Sequence, residues 1–544
     1  MTTRDAAAPP WWQGAVLYQI YPRSFQDSNG DGIGDLGGIV ARLDYLASLG
    51  VDGIWLTPVT PSPNADFGYD VSDYREIEPA FGSMADFRAL LAAAHARGLR
   101  VICDLVLNHT SIEHPWFRES RGSRDNPKAD WYLWRDGEPG RPPNNWLSYF
   151  GGSAWEWEPA RGQYYLHLFA REQPDLNWRH PEVKRELFDV ARAWLELGVD
   201  GFRLDVVNFL IKDAQWRDEP ERRRSRSPVE YRNWVGVFRR DRPETLLLVE
   251  ELRRLVDGYP GRIAIGEVST DFGVPQYLEY CKPGRLHLVF NFAFKNTPSY
   301  DPSAFRRGIE RVEEIYGELA WPCYVLGNHD TRRLATRFGD GRADARRARV
   351  LAAMLLTLRG SAMLYQGDEI GMEEAVLPRE RIVDPKGLSL WPLDPGRDGC
   401  RTPMQWDGSE HAGFSTVEPW LPVHDNRGRV NVAAAEADPG SLLHFHRQLI
   451  ALRKGSPALA CGDFAWLGPD TGAALAYERR AGRERKLVLL NFLDAPIELD
   501  LAHVGEGAPW PVVLGSHRRA PGAAGPRIEL AADEVLLLDA TEPA

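Results

Sequence analysis

The 544-residue chain predicts an α/β fold: a (β/α)8 TIM barrel with an irregular domain inserted after the third strand and a C-terminal antiparallel β-sandwich domain. Three observations predict it. Short apolar runs alternate with helical stretches at the spacing of parallel strands joined by right-handed crossovers. About eight such units can be counted, the number that closes a barrel. Polar and charged residues gather at the C-terminal ends of several of the apolar runs, where barrels of this kind carry their chemistry.

In chain order, residues 1–10 read as a disordered tail. A strand over 15–21 (AVLYQIY), a helix over 36–49, a strand over 51–56 (VDGIWL), a helix over 86–97 and a strand over 100–107 (RVICDLVL) follow. The alternation stops at His109 and resumes at about Asp175, so 109–174, rich in Trp, Asn, Pro and Gly, reads as an inserted domain. Beyond it come a helix over 181–197, strand 199–205, helix 244–257 and strand 262–267. Strands near 286–292 and 322–327, a helix over 341–358 and a strand over 361–365 complete the set. The barrel thus occupies 11–108 and 175–459, with an irregular segment at 372–435. From 460 to 544 short alternating runs such as Lys486–Phe492 replace helical patterns, which predicts a small β domain.

Composition narrows the partners. A net charge of −12 disfavours nucleic acid and anionic membranes. The most apolar run, Val350 to Leu358, is too short to span a bilayer. Five widely spaced cysteines form no CxxC or Cys/His cluster, and the N-terminus lacks a signal-peptide core, so a soluble cytoplasmic protein is expected. Nineteen Trp and 18 Tyr are enough to serve both a core and flat platforms for sugar rings. Oligomeric state is not readable.

The polar strand ends are Asp104, Asn108 and His109; Arg203 and Asp205; Glu267; and Asn328, His329 and Asp330. An isolated Arg-x-Asp is most often a structural ion pair, but four strand ends with carboxylate or imidazole groups point to catalysis. Arg203 and Asp205 lie two apart on a strand, share a face, and the guanidinium favours an ionised Asp205. Glu267, in Ile265-Gly266-Glu267-Val268, has apolar neighbours and would face Asp205 and Asp330, which raises its pKa. One charged and one protonated carboxyl at a barrel mouth suit glycosidic bond cleavage. No phosphate-cradling Gly-rich loop with Lys supports phosphoryl transfer.

The motifs Asp104-Leu-Val-Leu-Asn108-His109, Gly201-Phe-Arg203-Leu-Asp205, Gly266-Glu267-Val268 and Leu326-Gly-Asn328-His329-Asp330 resemble those of the family 13 glycoside hydrolases, the α-amylase family, over roughly residues 12–540. Gln173-Pro174-Asp175-Leu176-Asn177, the run Tyr365–Met372 and Gly396-Arg397-Asp398-Gly399-Cys400-Arg401-Thr402-Pro403 narrow the likeness to its α-glucosidase and oligo-1,6-glucosidase branch. The resemblance implies a retaining double displacement with Asp205 as nucleophile, Glu267 as acid/base and Asp330 as transition-state stabiliser. It implies that His109, His329, Arg203 and Gln173 line the sugar site. It also implies that Asp70 and Arg401 grip the terminal glucose, that Tyr69 stacks on the ring, and that Phe150 and Phe169 are pocket aromatics. A pocket closed in this way predicts exo cleavage of short α-glucosides, with glucosyl transfer as an accompanying capacity.

The loop Asp27-Ser-Asn29-Gly-Asp31-Gly-Ile33-Gly-Asp35 places oxygen-bearing side chains at alternate positions, which suits a hard cation. Gly38 stands where an EF-hand needs Glu. The resemblance implies one structural Ca²⁺ or Mg²⁺ held by Asp27, Asn29, Asp31, Asp35 and the Ile33 carbonyl.

Two rival classes stay in view. A trehalose synthase or sucrose isomerase relative would rearrange its substrate, although the Arg-Leu-Asp-Arg-Asp stretch of sucrose isomerases is absent from the region of Leu288–Lys295. A non-catalytic heavy chain of an amino-acid transporter would carry a membrane helix and degraded catalytic residues, and this chain has neither feature. Linkage is open: the resemblance implies that Val206, after the nucleophile, leans to α-1,6 bonds, while the segment from Asp213 to Pro260 is similar to that of relatives taking short α-1,4 substrates, with a slight balance towards α-1,4.

Overall fold

The computed structural model describes residues 9–223, 225–294, 297, 299–341, 345–504, 509–517 and 522–542. Residues 1–8 of the expected tail lie outside the described residues, and Pro9 and Pro10 are exposed. Eight parallel strands close a barrel: β1 (Val16–Ile20), β2 (Gly53–Leu56), β3 (Arg100–Leu105), β4 (Gly201–Leu204), β5 (Ile263–Gly266), β6 (Leu288–Asn291), β7 (Cys323–Val325) and β8 (Ser361–Tyr365). β1 pairs with both β2 and β8, which seals the sheet. Except for Arg100 and Asp104, which are half-buried, every residue of these strands is buried, because helices cover the outside and side chains fill the inside. Register matters for the site. Asp104 of β3 sits opposite Arg203 of β4, and Arg203 sits opposite Ile265 of β5.

The helices follow from their ends. Ser83 and Asp86 form a reciprocal capping box at the start of helix Met84–Ala96. Pro181 opens helix Pro181–Leu197 and Gly198, at φ 114°, ends it in the left-handed conformation that favours glycine. The expected single helix over 36–49 is two, Leu36–Ala41 and Leu43–Leu49, broken at Arg42. Gly37 and Gly38 in the first turn weaken that helix, and Gly38 lies so close to Gln26 that a side chain would not fit. Helices Val274–Cys281, Pro302–Tyr316 and Leu442–Gly455 supply crossovers and a closing layer that the sequence reading did not place.

The insert 109–174 is more regular than expected. Helix Pro115–Gly122 packs through Phe117 on Trp134 and Tyr165 of a three-stranded antiparallel sheet, Trp134–Arg135, Gln163–Leu166 and Trp155–Glu158. The C-terminal domain has a six-stranded sheet facing a two-stranded one, Ile497–Asp500 with Arg527–Leu530. Its strand Glu484–Asn491 shows why it docks. Leu487 and Leu489 join the sandwich interior with Ile528 and Leu530, while Val488 and Leu490 face the other way into the barrel's core.

Candidate active site

The C-terminal ends of the strands enclose a pocket of about 400 Å³ lined by Asp66, Asp205, Glu267, Asp330 and Arg397, with aromatic walls including Phe150 and Phe169. Arg203 joins two of its carboxylates. This guanidinium is fully buried and lies 4.9 Å from the ring centroid of Trp55. Its Nη1 donates to Asp104 at 2.9 Å and to Asp205 Oδ1 at 2.8 Å, while Nη2 contacts Glu267 Oε2. One fork therefore holds both carboxylates. Burial alone would lower the arginine's pKa, but Asp104, Tyr69 and Asp205 overcome that and raise it.

Two electrostatic expectations change here. Burial pushes the Asp205 carboxyl up to about 7, and the pull of Arg203 offsets this only in part, with Asp104 and Asp330 adding to the rise. Arg203 thus does not by itself keep Asp205 far below neutrality. Glu267 does not sit among apolar groups and anions alone, since the same guanidinium reaches it.

The histidines are buried and neutral in character. Burial lowers His109 to about 3, and it lowers His329 well below its ordinary value. Gln19 Nε2 lies 2.6 Å from His329 Nδ1, and the Tyr69 hydroxyl lies 2.9 Å from His329 Nε2. The Tyr69 ring is parallel to the His329 ring, with centroids 5.5 Å apart, and its hydroxyl donates to Asp104 at 3.0 Å. Gln173 Nε2 bridges Asp66 Oδ2 at 3.2 Å and His109 Nε2 at 3.1 Å. A buried chain of Lys212, Asn108 and Asp175 supports His109 from behind.

The ion pair at the far wall is not the one expected. Asp70 is fully buried, and its carboxylate accepts from Ser62 Oγ at 2.6 Å and from the amides of Ala65 and Asp66 at 2.9 Å. Arg401 donates to the His329 carbonyl and to Asp330 Oδ1, both at 2.9 Å. Asp70 and Arg401 are thus each spent on other partners. The pair that lines the pocket is Asp66 with Arg397, whose Nη2 donates to Asp66 Oδ1 at 2.6 Å. Arg397 also reaches Asp330 Oδ1 at 3.2 Å, is held by Asp384, and lies 4.9 Å over the ring of Phe150. Arg397 stands four residues before Arg401 within the motif quoted above, while Asp66 stands four residues before Asp70 and outside any motif the sequence singled out.

Further lining residues went unremarked in the sequence: Tyr149, Phe209, Tyr231, Arg232 and Lys386. Arg232 and Lys386 meet at Asp394, at 3.4 and 2.9 Å, beside the pocket entrance. Val206, directly after Asp205, holds φ 35°, a left-handed conformation that strains a β-branched residue and that clusters at functional sites.

The Asp27–Asp35 loop lies apart from this pocket. Asp27 Oδ1 accepts from the amides of Asn29 and Gly30, and its Oδ2 from Gly32 and Ser415. Burial pushes Asp27 up, but these hydrogen bonds, Ser415 first, hold it below its ordinary value. Asp35 caps helix Leu36–Ala41 through the Gly38 amide. Among the described residues no three Asp, Glu, His or Cys groups gather as a metal cluster. A cation here would need the Asn29 amide and the Ile33 carbonyl alongside the acids.

A (β/α)8 barrel whose mouth holds three carboxylates, two of them on one guanidinium, walled by aromatic rings, fits a glycoside hydrolase. The family description "Alpha amylase, catalytic domain" matches residues 19–462, and the chain belongs to that family, the α-amylase family. It is 47% identical over 501 residues to a probable alpha-glucosidase of Rhizobium meliloti, covering 89% of this chain and 90% of that relative. It is 41% identical over 514 residues to an oligo-1,6-glucosidase of Parageobacillus thermoglucosidasius, covering 89% and 90%. Among solved structures, the α-glucosyl transfer enzyme XgtA superposes with a TM-score of 0.91 at 44% identity, over 98% of this chain and 100% of that one. The trehalulose synthase MutB of Pseudomonas mesoacidophila superposes at 0.89 and 36% identity, with the same coverage.

Proposed function

We propose that the chain is an exo-acting, retaining α-glucosidase that removes the terminal non-reducing glucosyl residue from short α-glucosides. The observation that carries this reading is the Asp66–Arg397 pair, which walls the pocket beyond Asp330. A sugar whose ring lies over Asp205 ends against that pair, so the chain of the substrate extends only outward. Asp205 attacks the anomeric carbon while Glu267 gives its proton to the leaving oxygen. The attack leaves the glucosyl group esterified to Asp205; Glu267 then takes a proton from water, whose oxygen displaces the Asp205 carboxylate at the same carbon and releases glucose with retained configuration. Two carboxylates on one guanidinium fork support the short separation that retention needs. Asp330, tied to Arg397 and Arg401, holds sugar hydroxyls as the ring flattens.

Aromatic residues Tyr149, Phe169 and Tyr231 at the entrance would seat an acceptor sugar, so transfer of glucose to a second saccharide accompanies hydrolysis. The name of XgtA supports this capacity. The Asp27–Asp35 loop is the place for one structural Ca²⁺ or Mg²⁺, which would brace the segment before the first barrel helix. Five unpaired cysteines, four of them buried, fit the cytoplasm. Among the described residues no helix is long and apolar enough to cross a membrane.

Turnover of maltose, isomaltose, sucrose, trehalose and an aryl α-glucoside, with products resolved, tests the reading. Glucose release is expected, with transfer products at high substrate concentration. Conversion of sucrose or maltose into an isomeric disaccharide as the main product would replace it with the isomerising reading, and the maltose-to-isomaltose ratio decides the linkage.

A further inference from the structure

His109 stands between two amide donors. Asn108 Nδ2 lies 3.1 Å from its Nδ1, and Gln173 Nε2 lies 3.1 Å from its Nε2. A side-chain amide nitrogen only donates, and a neutral imidazole has one nitrogen that accepts and one that carries a proton. Burial lowers His109 to about 3, so the ring is neutral at ordinary pH. One of the two contacts therefore sets an N–H against an N–H. Which one it is decides what the histidine presents to the pocket that it lines.

Neither amide is free to turn over. Gln173 Oε1 accepts from the Ala170 amide at 2.9 Å, and its Nε2 donates to Asp66 Oδ2 at 3.2 Å. Asn108 is held from behind. Its Oδ1 accepts from Lys212 Nζ at 2.7 Å, and its Nδ2 donates to Asp175 Oδ1 at 3.1 Å. Lys212 Nζ also lies 2.8 Å from Asp175 Oδ2, and all three residues are buried. Lys212 thus acts twice. It occupies the Asn108 oxygen, and its charge opposes the rise that burial imposes on the Asp175 carboxyl. Without that charge a buried Asp175 would take up a proton, and it could then donate to an inverted Asn108.

The two sides of the ring differ in what can relieve the conflict. At Nδ1 a second N–H would find no acceptor, because Asn108 Oδ1 and both Asp175 oxygens are already engaged. At Nε2 the ring borders the pocket beside Asp66, where the oxygen of a water or of a bound sugar accepts from it. We propose that Lys212 is a positioning residue. Through Asn108 it makes Nδ1 of His109 the accepting nitrogen and holds the ring proton on Nε2, aimed at the pocket. Lys212 does not itself line the pocket. That the accepting oxygen belongs to a glucosyl residue rests on the function proposed above, whereas the place of the proton does not.

Nitrogen NMR of histidine-labelled protein tests this, with the His109 signals found by their absence from His109→Gln. In the unaltered enzyme the proton is expected on Nε2 between about pH 5 and about pH 8, where an unperturbed histidine would titrate. A proton on Nδ1 there would overturn the proposal. Lys212→Met removes both the charge and the donor, and the proton is expected to move to Nδ1 while the signals of the other histidines stay in place. Its kcat/KM for an aryl α-glucoside should fall about tenfold or more, the effect of one lost hydrogen bond. Asn108→Asp puts an acceptor where the amide nitrogen was, so it should move the proton in the same way, and it decides the matter if Lys212→Met does not fold. A proton that stays on Nε2 in either folded variant would remove Lys212 from this role. Absence of turnover on every α-glucoside, with the proton placed as expected in all three proteins, would remove the glucosidase reading and leave this one standing.

Discussion

Arg397 Nη2 donates to Asp66 Oδ1 at 2.6 Å while Nη1 of the same guanidinium reaches Asp330 Oδ1 at 3.2 Å. The loop after β2 is thereby tied to the segment after β8 across the pocket, and the tie touches one of the three carboxylates at its mouth.

Breaking that tie should cost catalysis more than folding. Arg397→Gln and Asp66→Asn remove one charge of a buried pair, and kcat/KM should fall by about 10²–10³-fold, or 3–4 kcal/mol. Asp70→Asn should act differently. It weakens hydrogen bonds from Ser62, Ala65 and Asp66, so it should lower Tm with a smaller effect on kcat/KM. Steady-state kinetics and calorimetry on the three variants separate the two outcomes. The opposite pattern would return the grip on the terminal sugar to Asp70.

Asp205→Asn and Glu267→Gln should each lower kcat by about 10⁴-fold or more, since groups that act as a unit lose nearly everything when one is removed. Circular dichroism should be unaltered. Substantial turnover by purified Asp205→Asn would remove it from the nucleophile's role.

Burial raises the Asp205 carboxyl from an ordinary 3.8 to about 7, and the sign of the consequence for stability is definite. A raised carboxyl contributes stability that is complete below about 4 and is lost as pH rises through about 7. An asparagine does not titrate. The stability of Asp205→Asn relative to the unaltered enzyme should therefore increase between about pH 4 and pH 7, by at most about 4 kcal/mol. Denaturant melts across that range would show a flat difference if the carboxyl were not raised.

The same shift sets an acid limb for activity. The nucleophile must be ionised, so kcat/KM should fall as pH drops through about 7. A profile that stays level down to pH 5 would mean that Arg203 holds Asp205 ionised far more strongly than burial opposes it.

Chelation tests the Asp27–Asp35 loop. Removing a bound cation should lower Tm without changing the ratio of rates on different glucosides, and Ca²⁺ or Mg²⁺ should restore it. Asp27→Ala should abolish the response. Because Asp27 also accepts from Ser415 and three loop amides, that variant should lose a further ~1–3 kcal/mol of stability even without metal.

The barrel was legible because its signals are local. Runs such as Ile263–Gly266 are apolar throughout, as strands buried on both faces must be. Pro181 and Gly198 mark the two ends of one long helix in the sequence itself. The motifs around Asp205, Glu267 and Asp330 were legible for the same reason, since each follows a strand and strands fix where their next residues emerge. Helix Pro302–Tyr316 went unplaced although both strands beside it were placed. The insert hid its sheet, its strands being two to four residues long.

What the sequence determined by itself was therefore the barrel, its order of strands and the groups at its mouth. Which of two aspartates four residues apart meets which of two arginines four residues apart was decided only by tertiary structure. Both segments are loops without a period to read. Phe67 at φ 46° and Gly68 at φ 104° reverse the chain between Asp66 and Asp70, so one carboxylate lines the pocket while the other is consumed by its own loop. Likewise the turn over Asp398–Cys400 separates Arg397, at the pocket wall, from Arg401, beneath Asp330. The ionisation of Asp205 was decided the same way. The sequence shows the arginine beside it, but only the closed barrel shows how completely water is excluded from both.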